Sequence, residues 1–320
     1  MRAYLQLLRL PTVFTAMADI VLGFVLTHQF LYGPVALAVG EPFEQSARWT
    51  YPGEFAGLLI ASCCLYLAGM VFNDVFDVEQ DAAERPGRPI PSGRVSLKSA
   101  TVLGMILMVV GIVAAGMVSR VSLQVALLLV IAILGYDRIL KRTWLGPLAM
   151  GSCRFLNVML GGSLQTEWIP NMVSLPLFPA ALGLGLYITG VTVFARTEAR
   201  VSNRWQLALA QGIINMGFVV LAWLMINMPE RSPVGVALAM LMVVAFTINR
   251  RAIEALRNPS PATVQGSIKV MLLSLVILDS TLIYWFLNTP DAASYGAVHA
   301  LATSALVIPA MLLSRFIPMT

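Results

Sequence analysis

The sequence predicts an all-α, polytopic membrane protein, a bundle of nine transmembrane helices with a tenth as the alternative count. Of its 320 residues, 58% are hydrophobic and only 12% are charged, about half the charged fraction of a soluble domain. Mean hydropathy is +0.81, and apolar runs of the length that crosses a bilayer recur along the chain. Because one core could not bury this much apolar surface, the composition excludes a soluble enzyme, a disordered chain and a disulfide scaffold.

The candidate spans are apolar runs separated by polar or proline- and glycine-containing breaks. They fall at 13–30, 55–72, 99–118, 122–136, 145–165, 175–194, 207–226, 234–248, 268–287 and 293–313. The first run is too long for a cleaved signal peptide, so we expect a retained helix. The last run is the one that decides between nine and ten spans. We see no appended soluble domain and expect 1–320 to form a single integral-membrane domain.

The breaks between spans differ in charge, and this difference predicts the orientation. Most of the 21 lysines and arginines fall at the N-terminus and in the breaks after the even-numbered spans. The opposite side holds Arg48, Arg120 and Arg231, and Arg154 falls inside a span. The positive-inside rule therefore places the N-terminus on the cytoplasmic side of what we expect is a bacterial inner membrane. This rule also explains the net charge of +5, so no nucleic-acid partner is expected.

An ordered acidic segment at 73–81 follows the second span. Asp74, Asp77 and Asp81 are spaced i, i+3 and i+7, which puts them on one face of a helix, with Asn73 beside them. Carboxylate oxygens suit Mg²⁺, which commonly bridges carboxylates to substrate phosphates. The spacing predicts a metal and diphosphate site in which the three aspartates are the catalytic metal ligands. The alternative is a solvated helix end with scattered acids.

The next segment, 84–96, is a stiff loop rich in proline and glycine. Its arginines, Arg85, Arg88 and Arg94, carry guanidinium groups that match phosphate oxygens in geometry. We take Arg85 and Arg88 as candidate diphosphate ligands, the alternative being ordinary positive-inside charge. Ser96 is a candidate N-cap for the helix that follows.

These segments resemble the first signature of the UbiA superfamily of intramembrane prenyltransferases. The similarity rests on 73–81 with the Arg-Pro-Ile-Pro-Ser-Gly run at 88–93, and it extends to Arg9-Leu10-Pro11 and to Tyr136 with Lys141 and Arg142. About nine spans over roughly 300 residues also match the family's bundle. The resemblance implies Mg²⁺-dependent transfer of a prenyl group from an isoprenoid diphosphate to a lipophilic or aromatic acceptor, in a cavity open to membrane lipid. It makes Asn73, Lys141 and Arg142 candidate diphosphate ligands.

The chain departs from the family where a second aspartate-rich motif belongs. Residues 192–200 contain no aspartate, and Glu198 stands between Arg196 and Arg200. In one explanation Glu198 is a metal ligand while the two arginines bind diphosphate directly. In another, ionisation is impaired and the protein binds or carries an isoprenoid-like lipid. In a third, the arginines are only inside-loop charges. The substituted motif resembles the EboC-like branch of the superfamily.

Three ionisable residues, Asp19, Arg154 and Asp279, fall inside predicted spans, where charge is expensive. Arg154 is expected either to pair with one of the two aspartates or to face the diphosphate end. The function therefore has two candidates from different classes. One is a prenyltransferase, and the other is a non-catalytic or weakly catalytic lipid-binding or carrier protein in a secondary-metabolite export pathway. The intact first motif favours the enzyme, whereas the altered second motif favours the carrier.

Overall fold

The computed structural model describes residues 2–38, 51–164, 176–228, 234–288 and 293–314. Within these ranges all regular structure is helical. Arg48 and Arg231, which the sequence places on the outer side, lie outside the described residues. The helices are α1 (Arg2–Leu8), α2 (Val13–Ala38), α3 (Pro52–Phe76), α4 (Val78–Glu84), α5 (Leu97–Val118), α6 (Arg120–Arg138), α7 (Gly146–Gly161), α8 (Leu177–Ala195), α9 (Arg204–Asn227), α10 (Val234–Arg257), α11 (Pro261–Leu287), α12 (Ala293–Ser304) and α13 (Val307–Ser314).

Each of the ten predicted apolar runs contains a helix. Nine segments within the described ranges are long and apolar enough to cross a membrane, and 297–314 is one of them. Of the ten predicted spans, the fifth is shorter than this: its helix, α7, has 16 residues and spans about 24 Å at 1.5 Å per residue. The prediction of an all-α membrane bundle is confirmed, and the protein is an integral membrane protein.

Several helices extend beyond the predicted spans at one end of the bundle. α3 continues to Phe76, so Asn73 and Asp74 lie within its last turn and not after it. α10 continues to Arg257, and α11 begins at Pro261 after an N-cap in which Ser260 accepts a hydrogen bond from the Thr263 amide. Polar residues continue these helices past their apolar sections, which is why hydropathy alone placed the ends too early.

The loops at this end are closed by short local motifs. The Ser96 side chain accepts a hydrogen bond from the Ser99 amide, which confirms the predicted cap of α5. Two 3-10 turns, Leu10–Thr12 before α2 and Leu140–Arg142 before α7, each connect two helices. We call this end, which carries the loops at 84–96, 139–145 and 196–203, the basic end.

Glycines allow the central helices to approach closely. A Cβ on Gly23 of α2 would lie 2.9 Å from the Gly161 Cα of α7, and one on Gly151 would lie 2.6 Å from the Gly185 carbonyl of α8. Small residues at such contacts bring helix backbones together and favour van der Waals packing in a bilayer. These contacts join α2, α7 and α8 around the cavity described below.

The segment of α12 and α13 lies on the outside of this group. α12 packs along α11, and α13 contacts α2 and the turn Leu10–Thr12 that precedes it. The tenth predicted run is therefore a helical segment broken near 305–306, and it reaches from α11 to the basic end.

Candidate active site

A cavity of about 590 Å³ opens among the helices and the loops of the basic end. It brings together nine of the eleven site residues proposed from the sequence: Asn73, Asp77, Asp81, Arg85, Arg88, Lys141, Arg142, Arg196 and Glu198. Asp74 and Arg200 do not line it. Below the charged rim the wall is largely apolar, with contributions from Leu129, Ile133, Met150, Ile188, Val191, Ile268 and Leu272. The cavity thus joins a charged end to an apolar one.

Asp74 is buried beside the cavity, in the last turn of α3. Its Oδ1 lies 2.7 Å from Nη2 of Arg9 and 3.2 Å from Nη1 of Arg88. Only 5% of the Asp74 side chain is exposed. Two arginines therefore balance its charge, one that precedes α3 in the sequence and one that follows it.

Arg88 links two carboxylates of the acidic segment. The same Nη1 that contacts Asp74 also lies 2.5 Å from Oδ2 of Asp81. The loop that carries Arg88 is held rigidly, because Ile90 and Val95 are buried against Leu7 and the Val95 amide donates to the Pro89 carbonyl. The 84–96 loop consequently holds this guanidinium between the two aspartates.

Lys141 approaches Asp77 from the turn Leu140–Arg142. Its ammonium group is hydrogen-bonded to the Asp77 carboxylate and lies 3.3 Å from the Asn73 Oδ1. The Asn73 Nδ2 in turn donates to Oδ1 of Asp137 at 3.1 Å. Asn73 therefore joins the end of α3 to the end of α6. Arg142 is exposed on the rim.

The altered second motif follows α8 as a series of turns. Glu198 lies 3.6 Å from Nη2 of Arg85, so an ion pair joins this loop to the 84–96 loop across the cavity. Arg196 and Arg200 are both exposed, and of the two only Arg196 lines the cavity. The geometry thus brings Arg196 and Glu198 to the site and leaves Arg200 outside it.

Two residues at the site had no assigned role in the sequence-based prediction. Arg9 pairs with Asp74 and has left-handed backbone angles, φ 45° and ψ 46°, which are uncommon for a residue other than glycine. Asp137 is buried on the cavity wall, one residue past the predicted end of the fourth span. The sequence signals were an arginine two residues before Pro11 and a carboxylate that directly abuts an apolar run.

A second polar cluster lies at the deep end of the cavity, which Arg154 and Asn157 line. The Arg154 guanidinium is hydrogen-bonded to the Asp19 carboxylate and donates to the Thr15 carbonyl at 3.1 Å. Asn157 Nδ2 donates to Asp19 at 2.7 Å and Asn157 Oδ1 accepts from Ser62 at 2.6 Å. Of the alternatives for Arg154, the pairing with Asp19 is confirmed. Arg154 lies eight residues after Gly146, the first residue of α7, so about 12 Å of helix separates it from the loop that precedes α7 at the basic end.

The donor set fits a magnesium ion that is completed by substrate. In the described ranges no three acidic, histidine or cysteine side chains form a ready metal site. The acids proposed from the sequence each face a cation instead: Asp74, Asp77, Asp81 and Glu198. Asp77 and Asp81 nevertheless line the cavity one helical turn apart. Mg²⁺ is usually held by one or two carboxylates together with substrate phosphates and waters. Two carboxylates beside an open cavity meet that requirement.

The fold and this cavity define a class of membrane protein, and comparison with known sequences identifies that class. The profile of the UbiA prenyltransferase family matches residues 29–259, and the chain belongs to that family. A UbiA homologue from Archaeoglobus fulgidus, solved with DMAPP and Mg²⁺ bound, superimposes with a TM-score of 0.62 at 14% identity. The superposition covers 95% of this chain and 99% of that one, and it shows the shared fold.

Its curated relatives include digeranylgeranylglyceryl phosphate synthases. The enzyme of Saccharolobus solfataricus is 29% identical over 190 residues, which are 58% of this chain and 60% of that enzyme. The enzyme of Methanopyrus kandleri is also 29% identical, over 250 residues, 69% of this chain and 84% of that enzyme. The match to the Saccharolobus enzyme thus spans about three-fifths of its length.

Proposed function

We propose that the protein transfers a prenyl group from an isoprenoid diphosphate to a lipophilic or aromatic acceptor within the membrane, with Mg²⁺ as cofactor. The observation that carries this proposal is the cavity in which paired carboxylates and cations adjoin an apolar wall. A prenyl diphosphate has the same division, into a multiply charged anionic head and an apolar tail. The relatives named as digeranylgeranylglyceryl phosphate synthases support the proposal of prenyl transfer.

The diphosphate head would occupy the basic end. Lys141, Arg142, Arg196 and Arg88 face this part of the cavity, and guanidinium groups bind phosphate oxygens through paired hydrogen bonds. Asp77 and Asp81 would hold Mg²⁺ together with the diphosphate, and Glu198 would join them once its pair with Arg85 opens. Asp74 lies behind them and supports Arg88. When bound, the metal neutralises charge that develops on the leaving diphosphate.

The ion pairs indicate how the site accepts its substrate. Lys141 and Arg88 each neutralise a carboxylate. When a metal–diphosphate complex binds, the metal would take the place of the cation beside each carboxylate, and the diphosphate would take the place of the carboxylate beside each cation. The Arg85–Glu198 pair is the most exposed of these, at 37% and 17%, and exposed pairs contribute about 0–1 kcal/mol. This pair would therefore separate readily as the substrate enters.

The apolar wall would hold the prenyl chain and protect the reacting carbon. Leu129 and Ile133 of α6 and Ile188 of α8 all contribute to this wall. Exclusion of water prevents hydrolysis of an allylic cation after the carbon–oxygen bond to diphosphate breaks. The acceptor would then attack that carbon from the membrane side. The volume of about 590 Å³ lies within the usual range for small-molecule sites.

We further propose that the whole chain, 1–320, acts as one membrane domain with its basic end in the cytoplasm. The loops of this end carry most of the lysines and arginines, as the positive-inside rule requires. Soluble prenyl diphosphates would then reach the site from the aqueous side and lipid acceptors from the bilayer.

The decisive experiment measures pyrophosphate release by the purified protein in lipid nanodiscs. Prenyl diphosphates from dimethylallyl to octaprenyl are tested with and without Mg²⁺ and with a membrane-lipid extract as the source of acceptor. We expect release that requires Mg²⁺ and is lost in Asp77→Asn and Glu198→Gln. Glu79→Gln, an exposed carboxylate on the same acidic segment, is the control and should keep full activity.

A second candidate, a lipid-binding carrier, has one observation in its favour. Each motif carboxylate is already paired with a cation, and Glu198 stands alone where two aspartates were expected. Binding of a prenyl diphosphate without pyrophosphate release, weakened by Asp77→Asn, would support the carrier and contradict the enzyme.

A further inference from the structure

Three ionisable side chains meet inside the membrane-spanning part of the bundle, on three different helices. Asp19 of α2 and Asp279 of α11 are fully buried, and Arg154 of α7 is 9% exposed. Neither aspartate lines the cavity. Charged groups at such positions are costly unless each is paired and hydrogen-bonded. The partners of every polar atom in this group therefore decide its charge state.

The hydrogen bonds account for one carboxylate oxygen out of four. Arg154 and Asn157 both donate to Oδ2 of Asp19. Oδ1 of Asp19 and both oxygens of Asp279 have no hydrogen-bond partner among the described residues. The two carboxyl groups are nevertheless within hydrogen-bonding reach of one another. Two oxygen acceptors thus face each other with no donor between them.

The charges do not balance either. Two ionised aspartates and one guanidinium leave one uncompensated negative charge, away from water and from the cavity. Two adjacent carboxylates in such surroundings cannot both stay ionised, and a shared proton is the usual resolution. The absence of Asp19 and Asp279 from the cavity lining argues against a hydrated metal ion in this position.

We propose that Asp19 and Asp279 form a proton-binding site, in which a neutral Asp279 carboxylic acid donates a hydrogen bond to Oδ1 of the Asp19 carboxylate. The proton removes the excess charge and supplies the missing donor. It leaves one ion pair, Arg154 with Asp19, and therefore an electrically neutral group. The site joins α2 to α11 and fixes Arg154 at the deep end of the cavity. It does not depend on the function proposed above.

Infrared spectroscopy of the purified protein in an ester-free detergent tests this site at neutral pH. A protonated carboxylic acid has a carbonyl stretch well separated from the bands of carboxylates and amides. We expect such a band in the wild type, and we expect Asp279→Asn to remove the component that Asp279 contributes. Glu79→Gln, which removes an exposed carboxylate, should leave the band unchanged. A wild-type spectrum without the band, or an Asp279→Asn spectrum identical to that of the wild type in this region, would overturn the proposal.

Thermal unfolding of two variants gives an independent readout. Asn at position 279 keeps the donor to Asp19, so Asp279→Asn should unfold at the wild-type temperature, whereas Asp279→Leu removes the donor and should unfold at a lower one. If Asp279 were instead ionised, both variants would lose an unpaired buried charge and both would be more stable than the wild type. A wild-type midpoint that rises with Na⁺, but not with K⁺ at equal ionic strength, would assign the site to sodium and contradict the proton.

Discussion

Ion pairs between distant segments of the chain organise the charged rim of the cavity. Arg9 and Arg88 meet at Asp74, and Lys141 crosses from the α6–α7 turn to Asp77. Each carboxylate thus depends on a cation that is separated from it by many residues or by a sharp loop. Substitution of one cation should affect stability where the carboxylate is buried and catalysis where it faces the cavity.

Arg88→Ala should lower the free energy of unfolding by about 3–5 kcal/mol, because removal of one partner leaves buried charges uncompensated. Asp74 and Asp81 are only 5% and 7% exposed, so water cannot replace the guanidinium. Denaturant unfolding in detergent measures the change. Lys98→Ala, an exposed cation near the same loop, is the matched control. Equal stability of the two variants would show that Arg88 does not balance these carboxylates.

Lys141→Ala should reduce the rate of pyrophosphate release about 10²–10³-fold, the usual effect of losing one group that stabilises transition-state charge. Lys141 faces the cavity beside Asn73 and Asp77. Lys269→Ala removes an exposed lysine elsewhere and should leave the rate unchanged. A similar rate in the wild type and in Lys141→Ala would exclude Lys141 from the diphosphate site.

The residue types of the site could be predicted from the sequence, but their pairing could not. The i, i+3, i+7 spacing singled out Asp74, Asp77 and Asp81, and two of them line the cavity. The Asp74 carboxylate pairs with Arg9 because the 3-10 segment before α2 places that arginine at the end of α3. Such a contact depends on how two helices pack, and no local pattern encodes it.

At the level of secondary-structure elements, the closest helix contacts depend on glycine. A Cβ on Gly23 would lie 2.2 Å from the Val158 carbonyl oxygen, whereas Gly212 of α9 has nothing within 4 Å. Gly23→Ala should therefore destabilise the protein by about 1–3 kcal/mol through overpacking. Gly212→Ala should be neutral or slightly stabilising, since alanine favours a helix. Unfolding midpoints in detergent compare the two, and equal midpoints would contradict close packing of α2 on α7.

The helices themselves were predictable from apolar runs, and their caps partly so. Ser96 was recognised because a serine that follows a proline- and glycine-rich loop and precedes an apolar run is a strong N-cap signal. The ends of α3 and α10 were not, because Asn73 and Asp74, like the polar residues 249–251, remain helical. Hydropathy marks where a helix leaves the apolar layer, and a helix does not have to end there.

At the scale of the whole molecule, the proposed orientation makes a prediction about accessibility. Lys98 and Arg120 lie near opposite ends of the pair α5 and α6, and both are exposed. In a background where Cys63, Cys64 and Cys153 are replaced by alanine, Lys98→Cys should react with a membrane-impermeant thiol reagent only in inside-out vesicles. Arg120→Cys should react only in intact cells from which the outer barrier has been removed. The reverse pattern would invert the orientation.

Substrate should also stabilise the whole bundle. A ligand present at 100 times its Kd stabilises the state that binds it by about 2.7 kcal/mol. A prenyl diphosphate that supports pyrophosphate release should therefore raise the thermal midpoint in the presence of Mg²⁺, and EDTA should remove most of the rise. Asp77→Asn should show no metal-dependent shift. An equal shift with and without Mg²⁺ in the wild type would argue against a metal at the diphosphate.

The contact of α13 with the turn Leu10–Thr12 has a consequence for biosynthesis. The two segments are separated by nearly the whole length of the sequence, so the ribosome makes the turn long before its support exists. Arg9, which precedes that turn and holds Asp74, would remain loosely placed while the intervening helices enter the bilayer. We expect the charged rim to reach its final arrangement only after α13 has docked, so that the site matures late in assembly. A nascent chain arrested before residue 293 would then span the membrane without binding prenyl diphosphate tightly.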